Sequence, residues 1–464
     1  MKTLESDLCI VGGGAVGLVL ATFQVSRFPN KKIIVFSGDR CNLSASAAAG
    51  AMINVASEVD YVNYASPLTK LKLTNYNNLF QSWKDIETLL SPYLPGGKLL
   101  YGSGTEIRLN NSSSNNVEIS SFRHMHSTAK KHNIPVTDIN EGPSFTSFNL
   151  PYEQSVDSLL FIKALRAYLL SNEVKILDED VRSITESHEH VELCSSSFRI
   201  KAAFTCVAAG VYSDKIIRLL DADLSKLVPC YCGVGSAVLL SSESDYVPDP
   251  IISNIVRTPN RGGTCGIHVV QRKHNLYVGA SSMTTANFPL RPRAESIEIL
   301  LRGYSATLQR SISGLSMSTI TGYRPTSIDT YPIVGQISKH IYSIYGTKRD
   351  GLTWSPLFGK AFASYTANDS SSSEFVTQLA MNYSPFRRPI SFGSHEHASL
   401  SYVESKTAES MQHGILLSES DTSALYQVAK NLHKQLPLEF SIHPELVNIF
   451  AFNKSQFQNL KSLL

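Results

Sequence analysis

Leu8-Cys9-Ile10-Val11 forms an unbroken apolar run that ends in Gly12-Gly13-Gly14-Ala15-Val16-Gly17. Val16, Leu18, Val19, Leu20 and Phe23 then recur on a broad face of the next segment, the pattern of a helix covered by a sheet. A second apolar run, Lys32-Ile33-Ile34-Val35-Phe36, makes residues 1–55 a β-α-β start. Residues 75–150 read as polar and irregular, with Asn110-Asn111-Ser112-Ser113-Ser114-Asn115-Asn116 a solvated loop. Val156 to Leu170 predicts an amphipathic helix with an acidic start. Short strands are predicted at Val174–Leu177 and Val181–Ile184, and a β-rich block over 190–208 ends in a second tight turn, Val207-Ala208-Ala209-Gly210. From 227 to 320 the strands are closely spaced, at 235–240, 251–257, 265–272 and 276–280, with a helix over 293–310, as in an antiparallel sheet domain. The first fold resumes near 320–365. Beyond the serine run 370–373, a tail rich in Ser, His and Gln ends in helical patterns over 422–464.

The glycine turn suggests a ligand class. In G-x-G-x-x-G between a strand and a helix, Gly12 permits the tight turn, Gly14 lets a pyrophosphate approach the backbone, and Gly17 lets helix and sheet pack closely. The first-turn amides, including those of Ala15 and Val16, and the helix dipole then face the phosphates. The acid that usually holds the ribose about 20 residues on is missing: Ser37 follows the second strand, with Asp39 and Arg40 just beyond. A serine hydroxyl makes a weaker hydrogen bond there than a carboxylate.

Composition excludes more than it selects. The 464 residues carry a net charge of +3 and no dense Lys/Arg run, which argues against nucleic acid and acidic membrane surfaces as partners. Glu5 and Asp7 precede the first strand, and no apolar stretch reaches ~18 residues, so neither a signal peptide nor a spanning helix is expected and the cytoplasm is the expected location. Seven scattered cysteines make no disulfide framework. Cys230 and Cys232 share one strand face without metal or redox spacing, so no metal is expected.

Two later segments decide the class. Residues 322–336 read Gly-Tyr-Arg-Pro-Thr-Ser-Ile-Asp-Thr-Tyr-Pro-Ile-Val-Gly-Gln, and 344–356 read Ile-Tyr-Gly-Thr-Lys-Arg-Asp-Gly-Leu-Thr-Trp-Ser-Pro. With the N-terminal turn, they resemble the D-amino-acid oxidase family of flavoproteins, and within it glycine oxidase and related amine oxidoreductases. The resemblance covers about 5–365. It implies an α/β fold in which a Rossmann-like FAD-binding domain (1–75, 150–225, 320–368) is interrupted by an antiparallel-sheet substrate domain (76–149, 226–319). Residues 369–464 are left as a partly helical C-terminal extension.

The same resemblance implies a set of residues. Gly12, Gly14 and Gly17 would take the pyrophosphate. Ser44, Ala45, Ala49, Gly50 and Met52 would lie along the chain leading to the isoalloxazine, Val181 on the adenine side, and Ala209-Gly210 at the second turn. Asp350-Gly351-Leu352-Thr353 would lie against the flavin. Relatives that attach FAD covalently use a His or a late Cys. Here Ala47 and Ala48 stand in the first region and no Cys follows Cys265, so the FAD is expected to be non-covalent.

The implied reaction is hydride transfer from an amine-bearing carbon to flavin N5, with oxygen or another acceptor taking the electrons. Arg324 and Arg349 would hold the substrate carboxylate, a task suited to the planar guanidinium fork, the alternative being ion-pair residues at a domain junction. Tyr323, Tyr345 and His268 are weaker substrate-side candidates. Two other functions fit less well: oxidation of a 2-hydroxy acid or a larger biosynthetic amine, and a non-catalytic flavin-binding assembly protein that uses the tail, with a homo-oligomer as one such assembly.

Overall fold

The computed structural model describes residues 1–464 apart from 39–43, 61–62, 64–65, 243–250, 261–265, 274, 290 and 370–373. Its central feature is an eight-stranded sheet whose main path runs 333–338, 341–345, 198–207, 2–11, 33–36 and 175–177. The first strand, Lys2–Val11, lies between parallel neighbours on both sides, which is why Leu8 to Val11 can be apolar without alternation. The helix Ala15–Arg27 is buried from Gly17 to Val25. It lies between the helices Ser158–Ser171 and Gly351–Tyr365, so its wide apolar face is covered by helices as well as by the sheet. Each fully buried Leu or Val there contributes about 1.5–3 kcal/mol.

A nine-stranded sheet runs 283–285, 230–242, 276–279, 268–271, 255–257, 105–110, 145–150 and 140–141, with 315–327 on the other edge of 230–242. It is antiparallel except at one seam, where Ile255–Arg257 joins Thr105–Asn110 in parallel. Helix Ala294–Leu308 covers it through Leu300 and Tyr304.

Residues 75–150 are more regular than their polarity suggests. Tyr76–Leu90 is a helix that buries Tyr76, Leu79, Trp83, Ile86 and Leu90, a single stripe on an otherwise polar segment. The Asn-Ser run ends in a helix start: the Asn115 side chain accepts from the Glu118 amide, and the Glu118 carboxylate accepts from the Asn115 amide.

The C-terminal extension supplies helices Glu374–Asn382, His395–Gln412, Glu419–His433, Val447–Phe452 and Lys454–Leu463. Leu432, Phe440, Ile442, Leu446, Val447, Phe450 and Leu460 pack into one core with Val11, Phe36, Val207 and Ile341 of the first sheet. From His395 on, the extension is thus a layer on the sheet face opposite the helix Ala15–Arg27, while Glu374–Asn382 packs through Phe375, Val376 and Leu379 into the core of that helix.

Candidate active site

A cavity of about 530 Å³ begins at the glycine turn and ends against the nine-stranded sheet. At its start, Gly12 has φ +146°, and a Cβ there would lie 2.2 Å from the Ala208 carbonyl oxygen. A Cβ on Gly17 would lie 2.0 Å from the Gly12 oxygen. Gly17 therefore works by packing behind the turn, and among the candidate cofactor residues described here it alone does not line the cavity. Gly14 is the helix N-cap without a side-chain cap, leaving the first-turn amides facing the cavity apart from Ala15 N–H, which donates to Ser46 Oγ at 3.0 Å. An anionic phosphate fits this end.

Ser37 lies beneath Gly13, where a Cβ would come within 2.1 Å of its Oγ. Its hydroxyl accepts from Arg166 Nη1 at 3.1 Å. A carboxylate is nevertheless at hand: Asp180 Oδ1 lies 2.7 Å from where a Gly38 Cβ would be, and Asp180 and Val181 line the cavity. Asp39 and Arg40 lie outside the described residues.

The middle of the cavity is lined by Ser44–Ser46, Ala48–Met52, Ala209–Gly210 and Thr347–Thr353. Ser44 caps the turn 45–48 by accepting from Ala47 N–H, and it bridges to Tyr323. Thr353 Oγ1 donates to the Met52 carbonyl at 3.2 Å, while Lys72 pairs with Asp350. These contacts bring residues 44–52 and the start of helix Gly351–Tyr365 to one place.

Charge concentrates at the far end. Arg257, 1% exposed, donates to Glu58 Oε1 at 2.5 Å and to Asn260 Oδ1 at 2.7 Å. Burial pushes the Glu58 carboxyl up, but Arg257, Arg349 and Asn54 together hold it well below the usual carboxylate range. His268 stacks on Tyr277, with ring centroids 5.8 Å apart. Burial, reinforced by Arg257, lowers its pKa to about 3, so the imidazole is neutral at physiological pH. Tyr277 donates to the Ala48 carbonyl at 3.0 Å, tying this sheet to the middle segment.

The two arginines part company here. Arg349 Nη2 lies 3.3 Å from Glu445 and Nη1 lies 3.8 Å from Glu58, so it sits between two carboxylates. Arg324 lies over Gly235, where a Cβ would be 2.3 Å from Nη2, and both its terminal nitrogens donate to the Ser281 carbonyl at 3.2 Å. At this end of the cavity, among the described residues, Arg324 is the cation with no carboxylate partner.

The tyrosines are already engaged. Tyr323 is buried and its hydroxyl donates to the Pro289 carbonyl at 2.8 Å. Tyr345 borders the cavity, but its ring belongs to the core shared with the extension, and burial together with Asp214 pushes its hydroxyl pKa up.

The fold and the glycine-lined cavity agree with the comparisons to known proteins. The profile of the family described as DAO, FAD-dependent oxidoreductase, matches residues 7–365. The chain is a member of that family. No curated protein matches it by sequence. Among solved structures, glycine oxidase from Geobacillus kaustophilus superposes with a TM-score of 0.66 at 19% identity, covering 79% of this chain and 95% of that one. L-proline dehydrogenase from P. horikoshii gives 0.65 at 15% identity, covering 83% and 98%. The dithionite-reduced L-alpha-glycerophosphate oxidase from Mycoplasma pneumoniae, with FAD bound, gives 0.60 at 17% identity, covering 81% and 95%.

At these identities the neighbours show the fold, while the profile shows the class: this is an FAD-dependent oxidoreductase of the DAO family. Among its described residues, no helix is long and apolar enough to cross a membrane. Several cavity residues of this DAO-family enzyme carry no sequence motif, namely Glu58, Asp180, Arg257 and Tyr277, and neither does Glu445, which pairs with Lys348 and Arg349 of the cavity wall. Arg257 left one trace, a lone cation closing an apolar strand. Glu58 and Glu445 left none.

Proposed function

We propose that this DAO-family enzyme oxidises the C–N bond of an amino acid or carboxylate-bearing secondary amine, using FAD held without a covalent link. The carrying observation is Arg324: a guanidinium at the end of the cavity remote from the glycine turn, with no carboxylate partner among the described residues and only a carbonyl to bond. FAD, when bound, supplies the two-electron acceptor. The chain supplies placement. Segments 1–75, 150–225 and 320–368 hold the cofactor, with the pyrophosphate at Gly12–Val16 and the ring system near 44–52 and 350–353. Segments 76–149 and 226–319 form the substrate side.

Arg324 takes the substrate carboxylate. Neutral His268, Tyr277 and Tyr323 form a low-dielectric wall that strengthens that ion pair. The reading is tested by steady-state oxidation of matched pairs, such as glycine against glycinamide and sarcosine against its amide. The acid of each pair is expected to be the better substrate in kcat/KM by at least tenfold; equal values for acid and amide would overturn the assignment.

Asp180 stands in for the missing ribose acid in this reading, since Ser37 is occupied by Arg166 and Asp180 lies beside Gly38. A charge-assisted hydrogen bond contributes roughly 1.5–3 kcal/mol. Asp180→Asn is therefore expected to weaken FAD binding by ~10-fold or more when apoprotein is titrated with FAD. An unchanged FAD Kd would remove Asp180 from the cofactor site.

A further inference from the structure

The family match ends at residue 365, yet the cavity's charge balance depends on a residue 80 positions further along. Glu445 comes from the short turn Pro444–Leu446 of the extension, and its Oε1 lies 2.9 Å from Lys348 Nζ and 3.3 Å from Arg349 Nη2. It is held for this task. The amide of Glu445 donates to His443 Nδ1 at 3.2 Å, the His443 ring packs edge-on against Phe392, and Leu446 and Val447 anchor the turn in the core. Burial raises the Glu445 carboxyl, but Lys348 and Arg349 overcome this and bring it down to about 2. Burial, reinforced by the same two cations, keeps His443 neutral, with a pKa of about 3.

Its cationic partners lie on a constrained loop. Gly346 has φ +67° and Lys348 φ +51°, the latter an unfavourable conformation for a residue with a side chain. The Lys348 amide donates to the Pro325 carbonyl at 2.8 Å, next to Arg324. The loop therefore joins the Arg-Pro motif, the start of helix Gly351–Tyr365 and the extension.

We infer that Glu445 is a specificity-determining positioning residue: by pairing with Lys348 and Arg349 it lowers the positive charge that these two cavity-lining side chains present beside Arg324, and so weakens the site for a second carboxylate. This rests on the assignment of Arg324 as carboxylate binder. Glu58 and Glu445 together carry two negative charges against Arg257, Lys348 and Arg349. That leaves one net positive charge, and removing the Glu445 charge raises it to two, with Lys348 and Arg349 lining the cavity and Arg349 keeping Glu58 as a neighbour.

The test is calorimetric titration of full-length holoprotein with acetate and with malonate, succinate and glutarate, which span different distances between carboxylates. In Glu445→Gln, affinity for the best-fitting dicarboxylate is expected to rise at least 10-fold over wild type, with acetate affinity changing less than ~3-fold. A purely structural role would move all four acids together, and no shift in the dicarboxylate-to-acetate ratio would overturn the proposal. Glu445→Asp retains the charge on a shorter stem and is expected to give an intermediate ratio. If Glu445→Gln does not fold, Glu445→Ala, which also removes the charge, decides, with a wild-type ratio counting against the proposal.

The two readings fail differently. If wild type binds no acetate, or binds it equally well after Arg324→Met, the Arg324 assignment falls and takes this proposal with it. If Arg324→Met weakens acetate but neither Glu445 variant shifts the ratio, only the role of Glu445 falls.

Discussion

Arg324→Met is expected to raise the apparent KM for the amino-acid substrate by ~100-fold or more, with bound FAD unchanged. The side chain lines the far end of the cavity, and its fork is anchored by the Ser281 carbonyl rather than neutralised by a carboxylate. A substrate carboxylate entering that position exchanges water for a planar, charge-assisted contact in a partly buried site. Truncating one partner of such a pair leaves the other charge desolvated and unpaired, a cost of roughly 3–5 kcal/mol, which corresponds to a factor of ~100 to several thousand in kcat/KM. Methionine matches the arginine stem in volume, so the cavity wall is kept while the charge is lost. Steady-state kinetics with an amino acid reads the effect. Unchanged kinetics would place Arg324 outside the binding site.

The largest effect on stability is expected at Arg387, far from any reacting atom. Asp329 belongs to the same segment as Arg324, but its role lies in the fold. Its carboxylate is fully buried and receives Arg387 Nε at 2.9 Å and Nη2 at 2.7 Å, with further donation from Ser327 Oγ, Tyr331 N–H and Ile390 N–H. Arg387 also donates to the Tyr383 and Ser384 carbonyls. This network joins the family segment to the start of the extension. Arg387→Met leaves Asp329 buried without its counter-charge and is expected to cost about 3–5 kcal/mol. Net stabilities are typically 5–15 kcal/mol, so the change should be plain in the denaturant midpoint. A loss below about 0.5 kcal/mol would mean that the extension is held by apolar packing alone.

What could be read from the chain was local. Gly12, Gly14 and Gly17 act within one turn, and Arg324 and Arg349 lie in short segments whose spacing carries their meaning. Helices with thin apolar stripes were harder. Tyr76–Leu90 hides its stripe among polar residues, and His395–Gln412 buries Ala398, Ser399, Tyr402, Ser405 and Ala408, of which Tyr402 alone is large and the rest are too small or polar to make a pattern. The charge cluster was illegible for a different reason. Glu58, Arg257, Arg349 and Glu445 are far apart in sequence and form one chain of ion pairs only because both sheets and the extension converge on the Arg349 loop. Arg349 shows the consequence, since its residue type suggested a carboxylate ligand while its neighbours, Glu58 and Glu445, are revealed only by the fold.

The most direct measurement of the central claim is the visible flavin spectrum of the purified holoprotein, recorded anaerobically before and after mixing with glycine, sarcosine, a panel of D- and L-amino acids, and the corresponding 2-hydroxy acids. The account predicts flavin absorbance that bleaches with one or more of the amines and persists with their hydroxy-acid counterparts. Bleaching by 2-hydroxy acids and not by any amine would contradict it.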